Sequence, residues 1–286
     1  MKLSCATICV LAVSCVAGQA KADCPASVTN PLNLIAGTTW AFQTNDGLAG
    51  DATVGTFTAQ VSTPKGATTP QGVLTIQETF NNAGSIGRQV TGTGSYQVNS
   101  DCSSGSLLFK VGNNSYVYAF VMAPTGTHMY LASANINVPN SGLGASSAGN
   151  RGVATLLSGP PTCNGANPLS TLVGTWGFLT QDYESSAVGI FKASIDPKSG
   201  LGVLTLTETS SGFGGNLVVQ QIGTGQYQVY PDCSGGQINF NADAYSYQYA
   251  FVFAGPSQIY MVSDSTDSPN VTLGASRGNF GTATRF

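Results

Sequence analysis

The sequence predicts an all-β protein of two tandem, eight-stranded up-and-down barrels, with a pair of β-sandwiches as the next choice. Three observations carry that prediction. The 286-residue chain is only 8% charged and holds 36 Gly beside 42% hydrophobic residues, a balance suited to short strands joined by tight turns. An internal repeat runs through its two halves, and the length suits two domains. After residue 22, runs rich in Val, Thr, Tyr and Phe alternate with Gly, Asn, Ser and Pro clusters, without helical periodicity.

Composition also excludes functions. Coiled coils and nucleic-acid binders need many Lys, Arg or Glu, so neither is expected, and nucleic acid is not an expected partner. The single His, His128, aligns with Gln258 of the other repeat, which removes duplicated His catalysis and multi-His metal sites. There is no G-x-S-x-G nucleophile elbow. No metal and no cofactor are expected.

Residues 1–22 read as a secretory signal peptide. Lys2 supplies a positive start, Ile8 to Val16 an apolar middle, and Ala20-Lys21-Ala22 an A-x-A site for cleavage after Ala22. This apolar run is too short to span a membrane, and no membrane span is expected elsewhere. Secretion or a periplasmic location follows, with lipoprotein anchoring at Cys15 as the alternative. Removing the leader takes Cys5, Cys9 and Cys15 with it and leaves Cys24, Cys102, Cys163 and Cys233. An even count in an exported chain points to disulfides. Four Cys allow three pairings; a unit that folds alone should close its own bridge, which gives Cys24–Cys102 and Cys163–Cys233. The mature chain has 8 basic against 13 acidic residues, a net charge of −5, which disfavours phosphate and anionic membrane surfaces.

The repeat sets the domain limits. GTGSYQVNSDCSSG (92–105) matches GTGQYQVYPDCSGG (223–236), and Gly72 to Thr79 matches Gly202 to Thr209. Gly37-Thr38-Thr39-Trp40-Ala41-Phe42 matches Gly174-Thr175-Trp176-Gly177-Phe178. The first repeat is placed at 24–157, a stiff Pro-containing linker at 158–167, and the second repeat at 168–286.

In the first unit, strands are expected near 38–45, 53–62, 72–80, 88–98, 105–112, 115–123, 128–136 and 149–157, and the second unit supports the same eight. Sequential short strands favour the up-and-down barrel, which leaves no open edge on a charge-poor surface. Alternation puts Leu74, Ile76 and Glu78 on one face, with Leu204, Leu206 and Glu208 as their copies. Tyr116, Tyr118, Phe120 and Met122 form an aromatic row, repeated as Tyr247, Tyr249, Phe251 and Phe253. The Gly-Thr-Gly segments at 92–94 and 223–225 read as bulges rather than phosphate loops, since no helix follows them.

Gly-Thr-Trp-x-Phe at the start of an eight-strand unit resembles the first strand of lipocalin- and avidin-like barrels, where the Trp closes one end. The GTGxYxVxxDCSxG run resembles repeats in exported bacterial proteins of unassigned activity. The lipocalin resemblance implies an Arg beside the Trp near the barrel's end; Arg151 and Arg277 lie in about that region, displaced from each other when the copies are aligned.

Glu78 and Glu208 are the principal candidates, because a carboxylate on an apolar inward row must be paired, hydrogen-bonded or protonated. One reading makes each a polar anchor for a ligand. Others have it bonded within the core, or solvated beyond a strand that has already ended. Tyr118, Tyr249, Phe120, Phe251, Trp40 and Trp176 would line the same interior, though core packing also accounts for the Trp pair. Asp101 and Asp232 fit Asx turns better than Ca²⁺ ligation. The function expected is a non-enzymatic binding module holding a small apolar or aromatic ligand. The rivals are a structural or adhesive envelope protein with solid barrels and a surface partner, and a cofactor-free cyclase or isomerase using an interior Glu.

Overall fold

A computed structural model describes residues 24, 28–46, 51–82, 85–134, 151–159, 163, 167–181, 186–211, 217–242, 245–264 and 280–286. The leader with Cys15, most of the 158–167 linker and Arg277 lie outside them. The first eight strands are β1 (Thr38–Asp46), β2 (Asp51–Ser62), β3 (Gln71–Asn82), β4 (Ser85–Val98), β5 (Ser104–Val111), β6 (Asn114–Met122), β7 (His128–Ser133) and β8 (Arg151–Leu156). The second set is β9 (Gly174–Gln181), β10 (Ser186–Ile195), β11 (Gly202–Ser211), β12 (Leu217–Val229), β13 (Gly235–Ala242), β14 (Tyr245–Gly255), β15 (Gln258–Ser263) and β16 (Phe280–Arg285). Each set pairs antiparallel with its neighbours in sequence and closes first strand on last, β1 on β8 and β9 on β16. The fold is therefore two closed eight-stranded barrels in tandem.

Alternation determines the interior. Phe57 and Ala59 of β2, Leu74 and Ile76 of β3, Leu107 and Phe109 of β5, and Tyr118 and Phe120 of β6 are buried in one core, and the second barrel repeats the set. A short 3-10 turn precedes each first strand, Pro31–Leu34 and Pro168–Thr171. Asn30 and Asn167 cap these turns by accepting from the backbone N–H of Leu32 and Leu169. Cys24 is bonded to Cys102 and Cys163, in the segment leading into the second barrel, to Cys233, so neither bridge joins the two barrels. Both Cys102 and Cys233 take left-handed backbone, at φ of 56° and 55°. Asp101 and Asp232 hold that turn by accepting from the N–H of Ser103 and Ser234.

The Gly-Thr-Gly segments are not bulges. Register between β4 and β5 is unbroken from Gly92 to Val98. A Cβ on Gly94 would lie 2.1 Å from the Leu108 carbonyl oxygen, so close approach of neighbouring strands is what demands glycine there. The bulge comes earlier, opposite the step from Glu78 to Phe80, with Gln89 at φ 49°; Gln220 at φ 53° repeats it opposite Glu208 to Ser210.

The two barrels are joined by a docked face as well as by the linker. Outward residues of β1 and β2, Ala41, Ala52 and Val54, pack on Ala250, Tyr260 and Val262 of β14 and β15. Small side chains let the sheets approach, and several of the polar groups caught between them are paired across the face. Gln43 donates through Nε2 to the carbonyls of Met261 (3.1 Å) and Gly281 (2.9 Å), and Asn81 donates to Ser263 Oγ (2.9 Å). Tyr260 and Thr155 share a hydroxyl hydrogen bond of 2.6 Å. Arg88, on the β4 bulge, pairs with Asp264 at 2.6 Å, and Gln237 donates to the other carboxylate oxygen of Asp264 at 2.7 Å.

Candidate functional site

Strand β3 continues to Asn82, so Glu78 is neither terminal nor solvated: it is 2% exposed, and Glu208 is 5% exposed. Each Glu faces a glycine across the next strand, Gly55 and Gly189. A Cβ on Gly55 would come within 2.8 Å of the Phe42 ring and 2.9 Å of Glu78 Cβ, and a Cβ on Gly189 within 2.7 Å of Phe178. The glycine thus leaves the space into which the ring and the carboxyl side chain both lean.

Burial pushes the Glu78 carboxyl from an ordinary 4.5 up to about 8, and Glu208 to about 6. Among the described residues neither Glu78 Oε1 nor Glu208 Oε1 has a hydrogen-bond partner. Polar groups cluster with Glu78. Tyr116, whose hydroxyl is driven upward first by burial and next by Glu78, also senses Tyr118 and Asp51 and bonds Asn114. Tyr118 donates to Thr44 Oγ1 at 3.5 Å. In the second barrel buried Gln221 stands across from Glu208, where Val90 stands across from Glu78. Glu78 is the more deeply buried of the two acids, and burial favours its neutral form.

The sequence-derived set divides in two. Glu78 lies with Tyr116, which in turn neighbours Tyr118. Trp40 and Trp176 stand at the far end of each barrel beside the 3-10 turns, Trp40 Nε1 donating to Thr38 Oγ1 and Trp176 Nε1 to the Leu172 carbonyl. The space between is packed with rings. Trp40, Phe57, Phe109 and Tyr118 follow one another at centroid spacings of 6.3, 5.6 and 5.7 Å, and Trp176, Phe191, Phe240 and Tyr249 at 6.0, 5.7 and 6.3 Å. Phe120 and Phe251 are buried in these packed cores. Sequence reasoning missed Phe42, Thr44, Asp51 and Phe109. The i, i+2 row Leu107, Phe109, Val111 was the available signal for Phe109.

Of the two Arg residues expected beside the Trp, Arg277 lies outside the described residues and Arg151 is not there. Arg151 pairs with Asn45 and Ala132 at the opposite end of its strand and is exposed. Instead Arg285, in register with Trp176, lies with its guanidinium carbon 4.6 Å from the Trp176 ring centre and donates to the Thr171 carbonyl. The first barrel has Leu156 in that register, across from Trp40. Arg285→Ala is expected to destabilise the protein by about 1–2 kcal/mol through the lost cation–π contact and hydrogen bond. Arg151→Ala should stay within about 0.5 kcal/mol, both read from urea midpoints.

No known family model matches the chain, and no curated protein does. Among solved structures, 28 chains match. A de novo designed fluorescence-activating β-barrel is 13% identical with a TM-score of 0.30, covering 42% of this chain and 98% of its own. Kievitone hydratase from Nectria haematococca is 6% identical with a TM-score of 0.29, covering 86% and 88%. CghA is 10% identical with a TM-score of 0.24, covering 87% and 88%. Among the described residues no helix is long and apolar enough to cross a membrane.

Proposed function

We propose that the protein is an extracytoplasmic binding protein whose barrels take a small, largely apolar molecule at the Glu end, with Glu78 and Glu208 as polar handles. One observation carries the reading: both repeats hold a buried inward carboxyl with an oxygen lacking a hydrogen-bond partner. Such a group lowers stability unless something pairs with it, and its presence in both barrels marks a shared use. Glu78, neutral at pH 7, suits donation to a carbonyl or ether oxygen; Glu208, largely ionised there, suits a ligand that donates. The phenol groups of Tyr116 and Tyr118 and the Phe42 ring offer the apolar and edge-polar surroundings that a small aromatic or terpenoid-like molecule would need.

Native mass spectrometry of the protein from its exporting host, against the same sample denatured, tests this. The expected result is a discrete extra mass that is lost on denaturation and absent from the Glu78→Gln/Glu208→Gln double variant. A bare polypeptide mass under native conditions, for both proteins, would overturn the reading in favour of solid barrels. If the molecule is also turned over, a single Glu78→Gln or Glu208→Gln variant that still binds it but loses turnover would identify that acid as a proton-transfer group.

A further inference from the structure

The docked face between the barrels has two dissimilar halves. The first barrel contributes outward β1 and β2; the second contributes outward β14 and β15. Because the barrels are repeats, each half has a copy on the other barrel that is not used within the chain. The copy of the first half is outward β9 and β10, and the copy of the second is outward β6 and β7.

Those two copies are where exposed apolar side chains collect. Val54 is 0% exposed in the docked face, while its repeat equivalent Val188 is 51% exposed, with Leu179 in register beside it and Ile190 two residues along the strand. Tyr260 is 1% exposed where docked, while its equivalent Tyr130 is 63% exposed, with exposed Val121 in register beside it. The chemistry of the contact is also repeated. Tyr260 bonds Thr155, and the equivalents, Tyr130 and Thr284, are both exposed. Leu157 packs at the edge of the docked face, and the backbone N–H groups of Leu157 and of its equivalent Phe286 bond matching carbonyls, Thr39 and Thr175. Phe286 is uncovered.

We propose that a second copy of this chain docks its β6–β7 face on the β9–β10 face of the first, repeating between molecules the contact made within each. The contact is head-to-tail, so every docked molecule presents another free half at each end, and assembly runs on to a ring or a filament. Leu179 stands where Gln43 donates across the internal face, and Ala134 where Asp264 pairs with Arg88. The contact between copies therefore lacks these polar locks, is more purely apolar, and is weaker and reversible.

Sedimentation velocity over a concentration series tests the proposal on the intact protein. The expected result is an average mass that climbs with concentration without stopping at a dimer. Tyr130→Glu and Val188→Glu, each placing a carboxylate in one half, are each expected to weaken association by at least about tenfold. Mixed in equal amounts, they should form a 1:1 dimer and go no further, because each variant supplies the half that the other lacks. A wild-type protein that is monomeric at its highest soluble concentration overturns the proposal. So does association as strong as the wild type's in either single variant, or a mixture that stays monomeric. Val121→Glu with Ile190→Glu provides a second complementary pair, and unchanged circular dichroism verifies the fold of each variant.

Discussion

Raising the pH from about 4.5 to about 8 is expected to destabilise this protein progressively, opposite to the behaviour of a chain held by ionised, paired carboxylates. The direction follows from Glu78. Unfolded, it releases its proton near 4.5; folded, burial holds the proton until about 8. Stability is therefore full below 4.5, falls through the window between the two values, and levels off above 8. At about 1.4 kcal/mol per pH unit the whole loss is on the order of 5 kcal/mol, or on the order of 10 °C in Tm. Glu208 adds a smaller loss between 4.5 and about 6. In Glu78→Gln the fall should end near pH 6, leaving a flat profile from 6 to 8. Calorimetric scans at pH 5, 6, 7 and 8 on both proteins check this. A wild-type Tm that rises or holds steady from pH 6 to 8 would contradict the buried, neutral Glu78. A bound molecule pairing with the acid would raise Tm at every pH, so the comparison is made on ligand-stripped protein.

Tyr260→Ala is the second large effect. Tyr260 is among the largest fully buried side chains, and it fills the face between the barrels rather than the interior of either. Its removal leaves a cavity in the docked face and strands the Thr155 hydroxyl. A loss of about 3–5 kcal/mol is expected, as for other large buried rings. The form of unfolding should change too. Wild-type barrels locked by the Gln43, Asn81 and Arg88 contacts should melt in one calorimetric transition, whereas weakened docking should separate two. Tyr130→Ala removes the same residue from the equivalent position of the first barrel, where the side chain is exposed, and should change stability by no more than about 0.5 kcal/mol.

Much of the interior was legible from the residues. The strand expected at 72–80 is the body of β3, and Leu74, Ile76 and Glu78 share the inward face that alternation assigned them. That works because strand parity is local: one face of a closed barrel is always inside, so a period of two is enough to sort side chains. The Glu site was only half legible. Tyr116 of β6 stands near Glu78 of β3, whereas Trp40, two residues from Phe42 on the same inward row, lies beneath a layer of rings. Parity names a face but carries no height. Arg285 at the Trp176 end was not legible for a related reason: the register of β16 on β9 decides that Arg285 meets Trp176, and alignment of the two copies does not contain that register.

What the sequence by itself determined is the duplicated all-β unit, its strands, and a carboxyl on an apolar row in each copy. These follow from short-range alternation and turn chemistry, which every stretch of chain carries within itself. Only the tertiary structure decided which outward residues are covered. Gln43 and Leu179 occupy equivalent outward positions, as do Tyr260 and Tyr130, yet one of each pair is buried and the other exposed. The difference arises because one face of each barrel meets the other across about 200 residues of chain, and alternation cannot tell an outward side chain facing a neighbouring sheet from one facing water.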